Sequence, residues 1–184
     1  MEKIKALIDQ MVKQTDLTYD RLPDIDLYMD QVIEYLARQR VSARETDKIS
    51  PAMINNYIKD GLLPRATEKK YSREHLAYLM MISRLKQTLS VKDTGRLLTA
   101  DIGDRDIVSY FDRFQELVAR TARDVGNSLP DGEENLTGVA LRLAVSGYVS
   151  RLLCELILEQ LDAAGKAADP ADPSPEAGDR TPEN

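Results

Sequence analysis

Residues 50–64 read SPAMINNYIKDGLLP, and this stretch decides the fold because it carries both ends of a short helix. Ser50 belongs to the residue types preferred at helix N-caps, and Pro51 fits the first helical position. Gly61 suits the left-handed residue that follows a helix, and Pro64 prevents the helix from continuing. The stretch therefore predicts a short helix that begins after Ser50 and ends before Gly61.

The predicted helix has two faces of different chemistry. One stripe is apolar and is expected to pack inward: Met53, Ile54, Tyr57 and Ile58. The opposite stripe has the i, i+3, i+4, i+7 spacing of one helix face: Ala52, Asn55, Asn56 and Lys59. Asn can hydrogen-bond an adenine edge, Ala tolerates a thymine methyl group, and Lys can contact phosphate. This face suits the major groove of DNA, but an ordinary amphipathic helix with a solvated outer face has the same pattern.

A basic segment and two further helices follow. Residues 65–71, RATEKKY, are too polar for a core and too short for a helix, so we expect a loop or a small hairpin. Four cations and one aromatic residue lie in or beside it: Arg65, Lys69, Lys70, Arg73 and Tyr71. Ser72 is expected to cap a long helix to about Leu89, and Ser90 a short helix over residues 91–99. This order of elements is typical of a winged helix-turn-helix, whose second helix enters the major groove.

Helical periodicity continues on both sides of this segment. Upstream, apolar spacing predicts a helix over residues 4–12 and a second helix that Asp24 or Asp26 caps and that runs to about Arg40. The apolar positions of this second helix are Leu27, Tyr28, Val32, Tyr35 and Leu36. Downstream, one apolar face extends over residues 107–125, which predicts another helix.

The last predicted helix, residues 136–161, is apolar nearly all round, which is typical of a helix that is buried on most sides. We expect it either to be central in its own fold or to be shared with a second subunit. Pro130, Asp131 and Gly132 form the turn before it. The proline-rich residues 164–184 are predicted to be disordered. The chain thus divides into an N-terminal helix (1–22), a winged helix-turn-helix domain (23–100), a C-terminal helical region (101–163) and a tail (164–184).

Composition excludes several classes of protein. The 184 residues are 42% hydrophobic and 30% charged, as in ordinary soluble domains. Cys154 and His75 are the single cysteine and histidine, which excludes a disulfide framework within the chain and a Cys- or His-rich metal site. The sequence contains no Gly-rich phosphate loop, HExxH or GxSxG motif, so we expect no enzymatic activity, no metal and no cofactor. We expect His75 at a surface or interface, Cys154 in the core, and the protein in the cytoplasm because no apolar stretch suggests a membrane span or leader.

Charge is distributed unevenly along the chain. Residues 1–39 carry 5 basic and 8 acidic groups, and residues 101–184 carry 8 basic and 17 acidic groups. The middle segment, residues 40–100, carries 12 basic and 6 acidic groups. A basic segment between acidic flanks is what a nucleic-acid contact on an otherwise repelling protein would show. Basic residues that only solvate helix surfaces would give the same count.

Two family resemblances support the prediction of DNA binding. Residues 53–64, MINNYIKDGLLP, and the following KKYSREHLAYLMMISRLKQTLSVKDTGRLL resemble the DNA-binding domain of the MerR family of transcriptional regulators. The matching positions are Ile54, Tyr57, Gly61, Leu62, Leu63, Pro64, Tyr71, Ser72, Leu76, Leu97 and Leu98. Together with LPDIDLYMDQVIEYL, the first run more closely resembles domain of unknown function family 1836, a bacterial family related to MerR-type proteins. This similarity covers roughly residues 20–100 and implies an all-α fold, a MerR-like winged helix-turn-helix with additional N- and C-terminal helices.

The sequence departs from the MerR pattern at Asn55–Asn56, where that family has Arg-Tyr, and at Glu68, where it often has an aromatic residue. The loss of a charge-assisted phosphate contact weakens the expected affinity. We nevertheless expect a DNA-binding transcriptional regulator that binds double-stranded DNA as a homodimer through its C-terminal helices. Its expected DNA contacts are Ser50, Ala52, Asn55, Asn56, Lys59, Arg65, Lys69, Lys70, Tyr71 and Arg73. The alternative is a non-enzymatic protein–protein interaction module on a winged-helix scaffold.

Overall fold

The computed structural model of the chain describes residues 2–40, 48–102, 106–130 and 135–168. Over these ranges the chain is mainly helical, which confirms the predicted all-α class. The helices are α1 (Glu2–Gln14), α2 (Met29–Arg38), α3 (Pro51–Lys59), α4 (Arg73–Leu85), α5 (Val91–Ile102), α6 (Ile107–Asn127) and α7 (Leu136–Ala168). Strands β1 (Leu27–Tyr28) and β2 (Lys70–Tyr71) form an antiparallel pair, with Leu27 opposite Tyr71 and Tyr28 opposite Lys70.

Helix α4 forms the centre of the hydrophobic core. Its residues Leu76, Leu79 and Ile82 have no solvent exposure, and α2, α5, α6 and β2 pack around the helix. The core continues past residue 100, because Tyr110 and Phe111 of α6 belong to it. The expected domain boundary at residue 100 therefore falls inside one continuous core.

The N-terminal segment, which consists of α1 and the residues that lead to β1, is bound to α6 by contacts between residues that lie far apart in the chain. Helix α1 packs along α6. The Gln115 side chain donates to the Leu17 carbonyl oxygen at 2.8 Å, and the Tyr19 backbone N–H donates to Asp112 at 2.7 Å. These partners are 98 and 93 residues apart in the chain. Residues 17–22 are therefore part of the same unit as α6.

Several helix ends differ from the sequence predictions. Helix α2 begins at Met29, and the Tyr28 backbone N–H donates to the Gln31 side chain at 2.9 Å, so the prediction of Asp24 or Asp26 as the cap was wrong. Helix α4 ends at Leu85 rather than near Leu89. The cap at Ser90 is confirmed, since its hydroxyl accepts the Asp93 backbone N–H at 3.0 Å.

Helix α7 differs most from expectation. It runs to Ala168 and so includes the first residues of the predicted tail. The rest of that tail lies outside the described residues, as do Asp131 and Gly132 of the predicted turn. Within one chain the helix is mostly exposed, and Leu158 is the one buried side chain among its described residues. Of the two positions expected for this helix, a place at the centre of its own fold does not agree with this exposure.

Two polar contacts and α5 hold α7 in place. Arg96 of α5 pairs with Asp93 at 2.9 Å and with Asp162 of α7 at 2.7 Å. Near the other end, Arg142 donates to the Ser128 carbonyl oxygen at 2.9 Å. Among the side chains of this helix that the structure describes, eleven large apolar ones are exposed: Leu136, Leu141, Leu143, Val145, Tyr148, Val149, Leu152, Leu153, Leu156, Ile157 and Leu161. Across the described ranges, no helix combines the length and apolar character that a membrane crossing requires.

Candidate nucleic-acid interface

Both ends of α3 are fixed by the residues that the sequence indicated. The Ser50 hydroxyl accepts the Met53 backbone N–H at 3.3 Å. Gly61 has a φ of 73°, and its N–H donates to the Ile58 carbonyl at 3.2 Å, while the Leu62 N–H donates to the Tyr57 carbonyl at 2.8 Å. This pair of bonds is the Schellman motif, which needs a left-handed residue at the glycine position. Because both ends are capped, α3 presents its side chains in a defined register.

The two faces of α3 lie as predicted. Ile54 and Tyr57 are buried in the core, with exposures of 0% and 2%. The four residues of the outer face are all exposed: Ala52, Asn55, Asn56 and Lys59. Burial raises the pKa of Tyr57, and its hydroxyl has no hydrogen-bond partner among the described residues. The outer face thus offers two amides and one cation to a partner, while the inner face holds the helix to the domain.

The basic segment forms the small hairpin that was one of the two expected structures. Lys70 donates its backbone N–H to the Thr67 carbonyl at 2.8 Å, and Glu68 and Lys69 between them have φ angles of 51° and 63°. Two consecutive positive φ angles are the requirement of a type I′ turn. Arg65 and Lys69 are exposed on this hairpin. Helix α2 contacts both α3 and β2, so the basic hairpin and α3 pack on the same helix.

Tyr28 joins this surface, although its spacing predicted a place on the apolar face of a helix. It is 52% exposed in β1, and the Lys70 ammonium lies 5.6 Å from the centre of its ring. A cation over a tyrosine ring is an attractive contact, and it orients the partly buried Lys70. Gln31, three residues after Tyr28, was the available indication that the helix begins at residue 29.

Two of the expected DNA contacts are occupied inside the protein. Tyr71 is only 4% exposed and packs edge-on against His75, with ring centres 5.5 Å apart. Arg73 pairs with Asp24 at 2.9 Å and lies over the Tyr19 ring at 5.7 Å. Tyr71 therefore cannot reach a phosphate, and Arg73 is engaged with the N-terminal segment. The exposed set that remains consists of the α3 outer face and the hairpin cations.

The two residues with distinctive chemistry also lie elsewhere than expected. His75 is buried, at 7% exposure, and lies in the first turn of α4, where its Nδ1 accepts the Ser72 backbone N–H at 3.1 Å. Cys154 is partly exposed, since most of the surface of α7 has no neighbour within the chain. In the described ranges no group of three His, Cys, Asp or Glu side chains could hold a metal ion.

The connection between α2 and α3 is longer than in a simple helix-turn-helix. It spans residues 39–50, of which residues 41–47 lie outside the described ranges, whereas a simple motif uses a turn of about 3–4 residues. The two helices nevertheless pack against each other. The contact between α2 and α3 is therefore made across a connection of twelve residues.

Comparison with known proteins gives one family match. Among curated proteins and among solved structures, no match is found. The model of the family described as Domain of unknown function (DUF1836) matches residues 17–114. This range begins at the segment fastened to α6 and ends within α6, so it coincides with the continuous core described above. The chain therefore belongs to the DUF1836 family.

Proposed function

We propose that the protein is a cytoplasmic DNA-binding regulator with a MerR-like winged helix-turn-helix, in which α3 enters the major groove. The observation that carries the proposal is the outer face of α3, where Asn55, Asn56 and Lys59 are exposed together, with a basic hairpin packed on the same helix α2. Asn is suited to the N6 and N7 edge of adenine, and lysines at the periphery suit phosphates. Affinity is expected to be modest, because no arginine stands within α3.

The roles divide between base contacts and phosphate contacts. Asn55 and Asn56 are the proposed base contacts, since they are central on the exposed face. Lys59, Arg65 and Lys69 are the proposed phosphate contacts, with Lys70 and Tyr28 beside them. Base contacts discriminate between sequences, whereas phosphate contacts act on all sequences alike. The two groups therefore give different signatures on substitution.

The test is salt-dependent binding of the full chain to DNA selected from a random pool. Asn55→Ala or Asn56→Ala should cost about 1–3 kcal/mol on the selected sequence and little on random DNA. Lys69→Ala should weaken binding to all sequences and lower the salt slope by roughly one. Lys13→Ala removes the same charge from α1, which packs on α6, and serves as the matched control.

No retention on a DNA column at low salt would reject DNA binding. No effect of either asparagine substitution would reject the base contacts of α3, and equal salt slopes for Lys69→Ala and Lys13→Ala would reject the phosphate contact of the hairpin. The first result would favour the interaction module on a winged-helix scaffold, because such a module requires no phosphate contact. Exposed apolar surface on α7 is the observation that supports this second candidate.

We also propose that the regulator is a homodimer through α7. At about half exposure each, the eleven apolar side chains of α7 present on the order of 1,000 Å² of surface, against roughly 800 Å² per partner in a standard interface. Monomers rarely expose contiguous apolar patches above a few hundred Å². Val145, Val149, Leu152 and Leu156 are spaced by four, three and four residues, the spacing of a helix seam that packs against a like helix. A second copy supplies such a helix.

A further inference from the structure

A cavity of about 330 Å³ lies between α1, α2, α4 and α6. Its walls are largely apolar and include Met11, Leu36, Met80 and Val118. None of its described lining residues belongs to α3 or the hairpin, so the cavity is separate from the proposed DNA face. Its volume falls at the lower end of the range of about 300–1,000 Å³ that small-molecule sites occupy.

Arg84 of α4 places a positive charge at the cavity wall. Among the described residues, its hydrogen-bond partner is the neutral side-chain amide of Gln115, and Gln115 itself is held by its bond to the Leu17 carbonyl. Burial lowers the pKa of Arg84, and no carboxylate stands among the described lining residues to offset that burial. Buried charges in proteins are normally paired with an opposite charge. The guanidinium has five donors in a planar fork, and the single bond to Gln115 leaves the others for an anion.

Gln14 of α1 supplies a second polar group at the same wall. Its side-chain oxygen is buried and has no hydrogen-bond partner among the described residues. A buried acceptor without a donor carries a desolvation cost, which a ligand with an O–H or N–H group would remove. The cavity therefore combines an apolar body with two polar groups whose hydrogen-bonding capacity is not fully used among the described residues.

We propose that this cavity binds a small organic acid with an apolar chain. Its carboxylate pairs with Arg84, its chain lies against the methionine, leucine and valine side chains, and a hydroxyl or amide group on it satisfies Gln14. Two parallel N–H···O bonds between guanidinium and carboxylate give both strength and orientation. This binding goes beyond the proposed DNA function and does not depend on it.

The test is calorimetric titration of the full chain with octanoate, below the concentration at which octanoate forms micelles. Octanol and octylamine are the probes with the same chain and no negative charge. Arg84→Gln removes the charge of Arg84 and leaves that of Arg40, which also lines the cavity. Val118→Trp fills the cavity while Arg84 is retained. Arg120→Gln makes the same charge change at an exposed position of α6 and is the matched control.

We expect saturable binding of one octanoate per chain, with no saturable binding of octanol or octylamine. Arg84→Gln should weaken the affinity for octanoate by about tenfold or more, since it removes the charged partner of the carboxylate. Arg120→Gln should leave this affinity unchanged. Val118→Trp should abolish binding, and it decides the matter alone if Arg84→Gln does not fold. Absence of saturable octanoate binding would overturn the proposal. So would equal binding by Val118→Trp and the unchanged chain, because octanoate would then be bound on another surface such as α7.

Discussion

Leu152→Glu is expected to break the proposed α7 dimer without unfolding the chain. Leu152 lies in the exposed row formed by Val145, Val149, Leu152 and Leu156 of α7. It is 41% exposed in the single chain, so about 80 Å² of the Leu152 surface of each copy becomes buried on dimerisation. At about 25 cal/mol per Å², this area contributes roughly 2 kcal/mol per copy and roughly 4 kcal/mol per symmetric dimer. A factor of ten in affinity corresponds to about 1.4 kcal/mol, so the dimer should weaken by about a thousandfold or more. The burial of two added carboxylates increases that loss.

Sedimentation velocity over a dilution series from about 50 to 0.5 μM measures this change directly, at concentrations where affinities of this class are resolved. Ser150→Glu is the control, because Ser150 is exposed on the same helix but lies away from the row of Val145, Val149 and Leu152 at 3.6 residues per turn. Circular dichroism should show equal helix content for both variants. A monomeric unchanged chain at 50 μM would refute the reasoning, and so would a Leu152→Glu variant that dimerises like Ser150→Glu.

Three further outcomes follow from local contacts. Arg73→Ala should lower the free energy of unfolding by about 1 kcal/mol in chemical denaturation, because Arg73 pairs with exposed acids and stacks on a tyrosine ring. The same substitution should leave the salt slope of DNA binding unchanged. Replacement of Glu68 and Lys69 by Asn-Gly should raise the free energy of unfolding by about 1 kcal/mol, since Asn tolerates positive φ better than Glu and Gly adopts it without strain; a loss of stability would contradict the type I′ assignment. Hydrogen bonds from Ser90 and, to a smaller extent, from Arg96 lower the pKa of Asp93. The Asp93 carboxylate therefore stabilises the fold above the unfolded pKa of about 3.9, and this stabilisation is lost as the pH falls through the lower folded pKa. Asp93→Asn should therefore flatten the dependence of stability on pH below about 4, and an unchanged slope in acid denaturation would count against it.

The parts of the fold that the sequence predicted are those whose determinants are local. Ser50 and Gly61 fix α3 through bonds that reach no more than five residues along the chain, and the two faces of α3 follow from periodicity. Ser90 caps α5 in the same way. Such signals are contained in a short stretch of sequence, so the predictions based on them were confirmed.

The mistaken predictions concern residues whose environment depends on distant partners. Tyr71 and Arg73 lie in a basic run, but β1 and the N-terminal segment occupy them, and nothing in the run itself reveals those neighbours. Tyr28 has the spacing of an apolar helix position yet precedes the helix and is exposed. For α7, an apolar circumference shows that partners are needed, but it does not show whether they come from the same chain.

The bonds that join Leu17 to Gln115 and Tyr19 to Asp112 have a consequence for the synthesis of the protein. During translation the N-terminal segment leaves the ribosome long before α6 exists, and its two partners arrive 98 and 93 residues later. Contacts between residues so far apart in the chain require the closure of a long loop, and the entropic cost of that closure slows folding. Helices α2 to α5 therefore leave the ribosome before their partner α6, and part of their apolar surface stays exposed to solvent until residue 115 has emerged. A chain that stops near residue 100 would remain in that open, aggregation-prone condition permanently.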